Sequence, residues 1–436
     1  MKEKLLKFTK SFKYYYNKIG LNIHYFITKY DKILLGAIIV ILSLVLRYSA
    51  TLFPTNDVVG YVFNWMKQIE NVGFKNFYTI NADYSPLYLF IVGLFTFLPK
   101  GAEITLRNFT FYENWMYYVK SMFFLMDILI AIGVYLNIKL LTSDKTKAFI
   151  GFIITLCLPV QFFNSAIWGN SDSIYFACFI YIIYFILKRK DNLAFLLLGV
   201  AFGFKLQASF ILPFMILLIF LRRLKFHSLL FLPLGLVLTF VPAYLCGASF
   251  SEPFMYISRQ LTGYNKLTLG CANIWHLINV PESLVDMFNP ASTILGLILI
   301  GLFMAIIYLR KIDLTDQNVF YIGVFLISIV PLFLPHMHER YFYSLDILVV
   351  LYCLIKKEKY YFIPLMQLSS GIAYHNYLAG RHFILSWGED SVHIASWINI
   401  FVITLIFIDL LKLNHSTKTK KEDLEQIKKE ISTLTK

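Results

Sequence analysis

Charge is what this sequence has least of. Only 15% of its 436 residues are charged, against 58% hydrophobic and 18% aromatic, and such a chain lacks the polar groups to cover a water-facing surface. A soluble globular fold is excluded and the bilayer becomes the solvent. Cysteine is sparse too: Cys157, Cys178, Cys246, Cys271 and Cys353 show no CxxC or other metal-ligand spacing, so they read as small buried hydrophobes. Cys246 and Cys271 flank one loop, which makes a disulfide there the alternative. The N-terminus lacks the short apolar core and small-residue cleavage site of a signal peptide. Insertion is therefore expected to use the first span itself. No internal repeat is detectable, which weakens a transporter built from inverted repeats.

The formal net charge of +14 does not point to nucleic acid, because the basic residues are not gathered into one domain with interleaved aromatics. They sit in short breaks instead: Lys188-Arg189-Lys190, Arg222-Arg223-Lys225, Arg310-Lys311 and Lys356-Lys357-Lys359, besides the lysines of residues 1–32. The positive-inside rule puts these in the cytoplasm. A crossing helix needs roughly 20 mostly apolar residues, and such stretches recur between residues 33 and 411. The expectation is an all-α polytopic membrane protein of about 12–13 transmembrane helices, near 33–53, 116–141, 147–164, 171–187, 193–205, 209–222, 227–245, 291–309, 318–335, 341–355, 360–378 and 393–411.

Residues 1–32 are expected as a cytoplasmic basic segment, either solvated or lying on the inner leaflet, and 412–436 as a charged cytoplasmic tail. The stretch 86–99 is short for a crossing. If it crosses, the loop 142–147 falls on the wrong side, so an early span must be broken, re-entrant or misread. The segments without basic clusters then share the outer side: 54–85, 164–172, 203–208, 246–289, 336–340 and 375–392. They hold most of the notable polar residues, Arg381 and His382 among them.

Three constellations on that side carry chemistry. His336-Met337-His338-Glu339-Arg340-Tyr341 follows Pro335 at the end of an apolar span, and charge that dense beside hydrocarbon is a functional signal unless it only anchors a helix end. Arg340 with histidine donors suits a phosphate, since a guanidinium donates two parallel charge-assisted bonds. Zinc on His336 and His338 is the other sharp reading, but HExxH spacing and a third ligand are missing. The outer loop 51–85 contributes Asp57, Trp65 and the return Asp83-Tyr84-Ser85-Pro86. A carboxylate there suits the removal of a proton from an incoming hydroxyl. Asp57 is the candidate, and the bland alternative is that it caps the helix after it. Finally, Asp172 and Lys205 would neutralise one another or bind hydroxyls and phosphate. Gln207, and Asn273-Ile274-Trp275-His276, suit bonding and stacking on a sugar.

Together, the aspartate-bearing first outer loop with its tryptophan, Asp83-Tyr84-Ser85-Pro86-Leu87, Lys205 with Gln207, Ala272-Asn273-Ile274-Trp275 and His338-Glu339-Arg340 resemble the GT-C glycosyltransferases. The pattern is nearest the dolichyl-phosphate-glucose-dependent glucosyltransferases of N-glycan precursor assembly and their bacterial relatives. The stretch 169–205 is also similar to the first mannosyltransferase of GPI-anchor assembly. Arg340 stands where the glucosyltransferases carry lysine, and the spacing from Asp57 to Trp65 is one residue long for the pattern.

The resemblance implies a polyprenyl-phosphate hexose donor, a glycan or lipid-linked acceptor, inversion at the anomeric carbon, and no metal or cofactor. It makes Asp57 the base and puts Arg340, His338 and Lys205 on the donor phosphate. Asp83, Tyr84, Asp172, Gln207, Trp275 and Glu339 are then the substrate contacts. The rival classes are a lipid or polysaccharide transporter and a membrane acyltransferase with a catalytic histidine. The expected setting is a bacterial plasma membrane, with the site outward and both termini inside.

Overall fold

The computed structural model describes residues 2–261, 266–278, 280–378 and 390–413. Arg381, His382 and nearly all of the charged tail lie outside them. The chain is a helical bundle: α1 (Lys2–Ala50), α2 (Phe63–Val72), α3 (Pro86–Leu94), α4 (Glu113–Thr142), α5 (Lys145–Leu156), α6 (Pro159–Phe162), α7 (Asp172–Leu187), α8 (Asp191–Phe204), α9 (Leu212–Phe220), α10 (Phe231–Leu245), α11 (Met255–Leu261), α12 (Val285–Leu309), α13 (Asp316–Phe333), α14 (Tyr343–Ile355), α15 (Phe362–Leu378) and α16 (Asp390–Leu411). Two small sheets complete it, the hairpin β1 (Glu103–Leu106) with β2 (Phe109–Tyr112), and the parallel pair β3 (Thr268–Leu269) with β4 (Met337–His338). The all-α, multi-pass membrane class expected from the sequence is the fold observed.

Among the described residues six helices are long and apolar enough to cross a membrane: Lys18–Ala50, Glu113–Thr142, Phe226–Leu245, Val285–Leu309, Asp316–Phe333 and Ser391–Leu411. A seventh is the pair Lys145–Leu156 and Pro159–Trp168, bent by 46°. Five more apolar helices are short, among them Asp172–Leu187 and Tyr343–Ile355. The higher count from sequence includes such elements, although 13–16 residues rise only about 20–24 Å against a hydrocarbon core of about 30 Å. Asp172–Leu187 and Tyr343–Ile355 lie inside the bundle. All of α14 from Tyr343 to Leu354 is buried, as is most of α7. A helix apolar all round belongs in the interior, where other helices rather than lipid set its length.

The helices have two distinct ends. From Asp172, α7 runs to Lys188-Arg189-Lys190, and α8 returns to Lys205, which bonds Asp172. In the same way α13 runs up to Phe333 and α14 goes back down to Ile355. The end opposite Asp172 is tied by Arg223–Asp316 at 3.1 Å, by Lys225 N–H to Asp191 Oδ2 at 3.1 Å, and by Gln317 Nε2 to the Leu141 carbonyl at 2.9 Å. Lys32 Nζ reaches Thr146 Oγ1 there at 3.1 Å, and Arg310 donates to the Leu411 carbonyl. Every basic break, the loop 142–147, the entry at Lys32 and the exit at Leu411 therefore share one end.

This arrangement settles the early topology. With nine residues, α3 rises only about 13 Å. Lys100 pairs with Glu70 at 2.9 Å, and Asn114 and Tyr118 both donate to the Pro99 carbonyl at 3.1 Å, so the segment after α3 returns to the start of α4. Stretch 86–99 does not cross, and residues 51–112 form one long excursion at the end opposite the basic loops. The hairpin β1–β2 closes it through Arg107 and Asn108, both at positive φ, as a tight two-residue connection requires.

Close approach holds the middle of the bundle. A side chain on Gly199 of α8 would strike the Leu232 carbonyl of α10, and one on Gly235 of α10 would strike that of Leu196. These glycines let the two backbones meet, as small residues do between membrane helices. On the other flank, Arg47 of α1 pairs with Asp127 of α4 at 2.8 Å, and Ser165 donates to the same carboxylate oxygen. The Lys120 ammonium is spent on the carbonyls of Phe53, Ala166 and Ile167 at 2.7–2.9 Å. These bonds pin the bent segment after α5 to the chain leading to Asp57. All five cysteines are free, including Cys246 and Cys271, so no disulfide closes that loop.

Candidate functional site

At the end opposite the basic loops, five distant segments converge. Asp57 comes from the π-helical turn Asn56–Val62 and Asp172 from the first turn of α7, after the π-helical turn Phe163–Trp168. Lys205 follows α8, Glu339 and Arg340 lie between α13 and α14, and Tyr377 ends α15. Local chemistry explains each placement. α13 stops because Pro335 pushes its predecessor out of the helical region, and Leu334 is extended. Gly169 takes φ +74 against Val58 and Lys120, a left-handed turn that a side chain would strain. Asp172 falls at a helix N-terminus, where a carboxylate is favoured. Thr55, not Asp57, caps the turn, its Oγ1 accepting from Val58 N–H and donating to the Trp168 carbonyl at 2.7 Å.

Asp57 is bonded instead from two other segments of the chain. Its Oδ2 accepts from Trp168 Nε1 at 2.8 Å and Asn170 Nδ2 at 3.1 Å, and its Oδ1 accepts from the Tyr377 hydroxyl at 2.6 Å. Arg340 Nη1 stands 4.0 Å from Oδ2. The same guanidinium pairs with Glu339 Oε1 at 2.7 Å and with Asp172 Oδ2 at 3.3 Å, and it lies over the Trp168 ring at 5.1 Å. Trp168 in turn stacks on Tyr377 at 4.4 Å. Lys205 completes the group, 2.5 Å from Asp172 Oδ1, as the sequence reading paired them. The core of the cluster thus sets the carboxylates of Asp57, Asp172 and Glu339 against the cations Lys205 and Arg340.

Electrostatics sort these groups. Burial pushes the Asp57 carboxyl up, but Arg340 and the Tyr377 and Trp168 bonds outweigh it, so Asp57 sits below the ordinary carboxylate range. Glu339 follows the same balance, its burial overcome by Arg340 and His338. Burial works against the Arg340 charge, yet Glu339, Asp172 and Asp57 raise it well above its usual value. His338, 3.7 Å from Glu339, is lowered by burial despite that carboxylate. Asp83 behaves in the opposite sense. Its outer surface is open, but the protein on its inner side and the Asp57 charge raise its carboxyl above the ordinary range, against Lys205 and Arg259.

Other residues singled out by sequence lie around this centre. The Tyr84 hydroxyl bonds Ser171 Oγ at 2.8 Å and its ring faces the Lys205 ammonium at 5.9 Å. Gln207 donates to the Tyr341 hydroxyl, one side chain away from Arg340. Trp275 is not with the carboxylates. Its indole donates to the Phe333 carbonyl at 2.8 Å, and Asn273 beside it bonds the carbonyls of Pro331 and Leu334, so this segment braces the end of α13. His336, at φ +61, turns to the Lys266 carbonyl at 2.6 Å and pairs its backbone with Leu267. The residues missed were Trp168, Asn170 and Tyr377. The first two lie within four residues of Asp172 in the chain, but Tyr377 is 320 positions from its partner Asp57, and nothing local marks it.

Fold and site define the class: an all-α, multi-pass membrane protein with a half-buried charged centre at the end of its bundle away from the basic loops. No protein-family model and no curated protein matches this chain.

Proposed function

We propose that the chain is an inverting membrane glycosyltransferase, moving a hexose from a polyprenyl-phosphate carrier to a glycan or lipid-linked acceptor on the extracytoplasmic face. The observation that carries the reading is Asp57 and Arg340 in one cluster, 4.0 Å apart, the carboxylate bonded by neutral donors and the guanidinium held by Glu339 and Asp172. An acceptor hydroxyl attacks the anomeric carbon, its proton passes to Asp57, and the carbon–oxygen bond to phosphate breaks with its electron pair going to the phosphate. A phosphate whose growing charge is met by a fixed guanidinium leaves readily.

The geometry also times the proton transfer. Arg340 lowers the proton affinity of Asp57 in the free protein. A donor phosphate drawing the guanidinium to itself relaxes that field, so Asp57 becomes the better base when donor is bound. Asp172 and Glu339 keep Arg340 charged and oriented throughout. Incubation of purified protein with synthetic polyprenyl-phosphate hexoses tests the reading, with release of polyprenyl phosphate expected. Absence of release for every hexose offered refutes it.

A carrier reading draws on a different observation. The Arg47–Asp127 pair and Asp346, bonded by Ser370 at 2.7 Å, are fully buried beside the bent segment α5–α6, and broken helices with buried polar groups also build transport sites. Uptake of a lipid-linked glycan into vesicles without any covalent change to it is the result that would favour this alternative.

A further inference from the structure

Beside the charged centre lies a second concavity of about 160 Å³, between the start of α3 and the segment 249–259. Tyr84 belongs to both, bonding Ser171 in the centre and lining this pocket. The walls are fixed. Tyr256 donates to the Phe202 carbonyl at 2.6 Å, Arg259 Nη1 donates to the carbonyls of Ile80 and Ala82 at 3.2 and 2.8 Å, and Glu252 Oε2 accepts from Ser249 N–H at 2.5 Å. The lining joins the rings of Tyr78, Tyr84 and Tyr256 and the ring of Pro86 to one carboxylate and one guanidinium.

That mixture selects a ligand class. A phosphate would meet the Glu252 carboxylate and an Arg259 already turned to backbone carbonyls. An acyl chain would lay hydrocarbon against a carboxylate and a guanidinium, which is costly. A neutral ring with an apolar C–H face and an equatorial band of hydroxyls fits this lining, stacking on tyrosine and donating to the carboxylate. We infer that this pocket is the subsite for a neutral hexopyranose unit of the acceptor, seated so that the next hydroxyl reaches past Tyr84 towards Asp57 and Asp83. The assignment rests on the glycosyl-transfer reading, and it makes the acceptor a saccharide rather than a bare lipid or a peptide.

Saturation-transfer NMR on protein in phosphatidylcholine nanodiscs, free of sugar-headed detergent, tests it with methyl β-D-glucopyranoside and methyl α-D-mannopyranoside as probes. At least one should receive saturation from the aromatic protons, and inorganic phosphate should not displace it. Tyr78→Ala should weaken binding about five- to tenfold through loss of one stacking ring. Glu252→Gln, which keeps the acceptor for Ser249 N–H, should weaken it by less. No transfer in the unaltered protein, displacement by phosphate, or equal binding in both variants overturns the subsite. Release of polyprenyl phosphate from a polyprenyl-phosphate hexose is measured on the same nanodiscs. Release without methyl-hexoside binding retires the subsite and leaves glycosyl transfer standing. Binding with the variant losses but without release keeps a sugar subsite and retires transfer.

Discussion

The two ends of the bundle use the same residue types to opposite effect. At the basic end, each ion pair keeps one member open to water. Asp316 pairs with Arg223 while 45% of its side chain stays exposed, and Asp409 accepts from the Tyr352 hydroxyl and takes Lys356 and Lys359 at 3.4 and 3.9 Å. At the other end Asp172 is wholly inaccessible, and Glu339 and Arg340 are 6% and 10% exposed. Near-surface pairs contribute little because water competes with them. Buried charges are kept only when each has its partner. What separates scaffold from site is therefore exclusion of water, and charge count alone does not reveal it.

The sharpest way to break this comparison is topological, because the outcome is all or none. In a cysteine-free background, a cysteine at residue 190 should react with a membrane-impermeant thiol reagent only after the membrane is opened. A cysteine at residue 337 should react in intact cells. Reversed labelling would put the charged centre on the nucleotide-sugar side and remove the polyprenyl-phosphate donor from the proposal.

Next in size is the proton acceptor. Asp57→Asn keeps shape and, with its oxygen turned to Trp168 Nε1 and Asn170 Nδ2 and its amide N–H donating to the Tyr377 hydroxyl oxygen, keeps its place, but it cannot take a proton, so turnover should fall by roughly 10²–10⁴-fold with expression intact. Asp83→Asn is the matched control on the same loop. The pH profile separates the two independently. Asp57 is held below the ordinary carboxylate range and Asp83 above it. The acid limb of kcat/KM follows the base of the free enzyme. With Asp57 as base, activity stays flat as pH falls to the usual carboxylate range of about 4. An acid limb lying above that range, lost in Asp83→Asn, would transfer the role to Asp83.

Arg340→Ala sharpens the comparison from the side of stability. It leaves Glu339 and Asp172 as buried carboxylates with a cation removed, which should cost about 3–5 kcal/mol in denaturation, together with most turnover. Arg340→Lys restores charge without the bidentate fork, so stability should return further than activity. Equal recovery of both would mean that Arg340 only balances charge. Acid should weaken this end in two stages. The folded-state pKa of His338 is lowered, so stability falls as pH drops through the unfolded histidine value near 6.5. Asp57 and Glu339 have depressed pKa values, so their contribution persists to lower pH and is lost as pH falls through the folded values.

Much of this was legible in the chain because membrane helices announce themselves by length and hydropathy. The spans expected at 116–141, 171–187 and 393–411 match α4, α7 and α16 closely. Stretch 86–99 defeated the reading because an apolar run of that length suits a crossing or a buried helix equally, and the bonds of Pro99 and Lys100 that decide it are tertiary. Within the site, Lys205 with Asp172 was readable from two helix ends brought together by one hairpin. Trp275 was read as a sugar contact, but aromatic and amide groups suit stacking and bracing equally well, and in the structure its indole braces the Phe333 carbonyl. Tyr377 gave no signal, since a tyrosine near the end of an apolar helix is ordinary in a membrane protein.

The smallest expected effect is at the basic end, and it is the one that makes the contrast quantitative. Lys359→Ala removes a pair that is long at 3.9 Å and leaves Asp409 with Lys356 and the Tyr352 hydroxyl. Its cost should be under about 1 kcal/mol, falling further in high salt, and turnover should not change. Lys205→Ala removes the same side chain from the other end. There it strips Asp172 of a 2.5 Å partner where water does not reach, so the loss should be several-fold larger and nearly independent of salt. Matched thermal denaturation of the two variants at low and high salt decides the matter. Similar losses with similar salt response would mean that the charged centre is as open to water as the basic end, and the account of Asp172, Lys205 and Arg340 as a desolvated cluster would have to be given up.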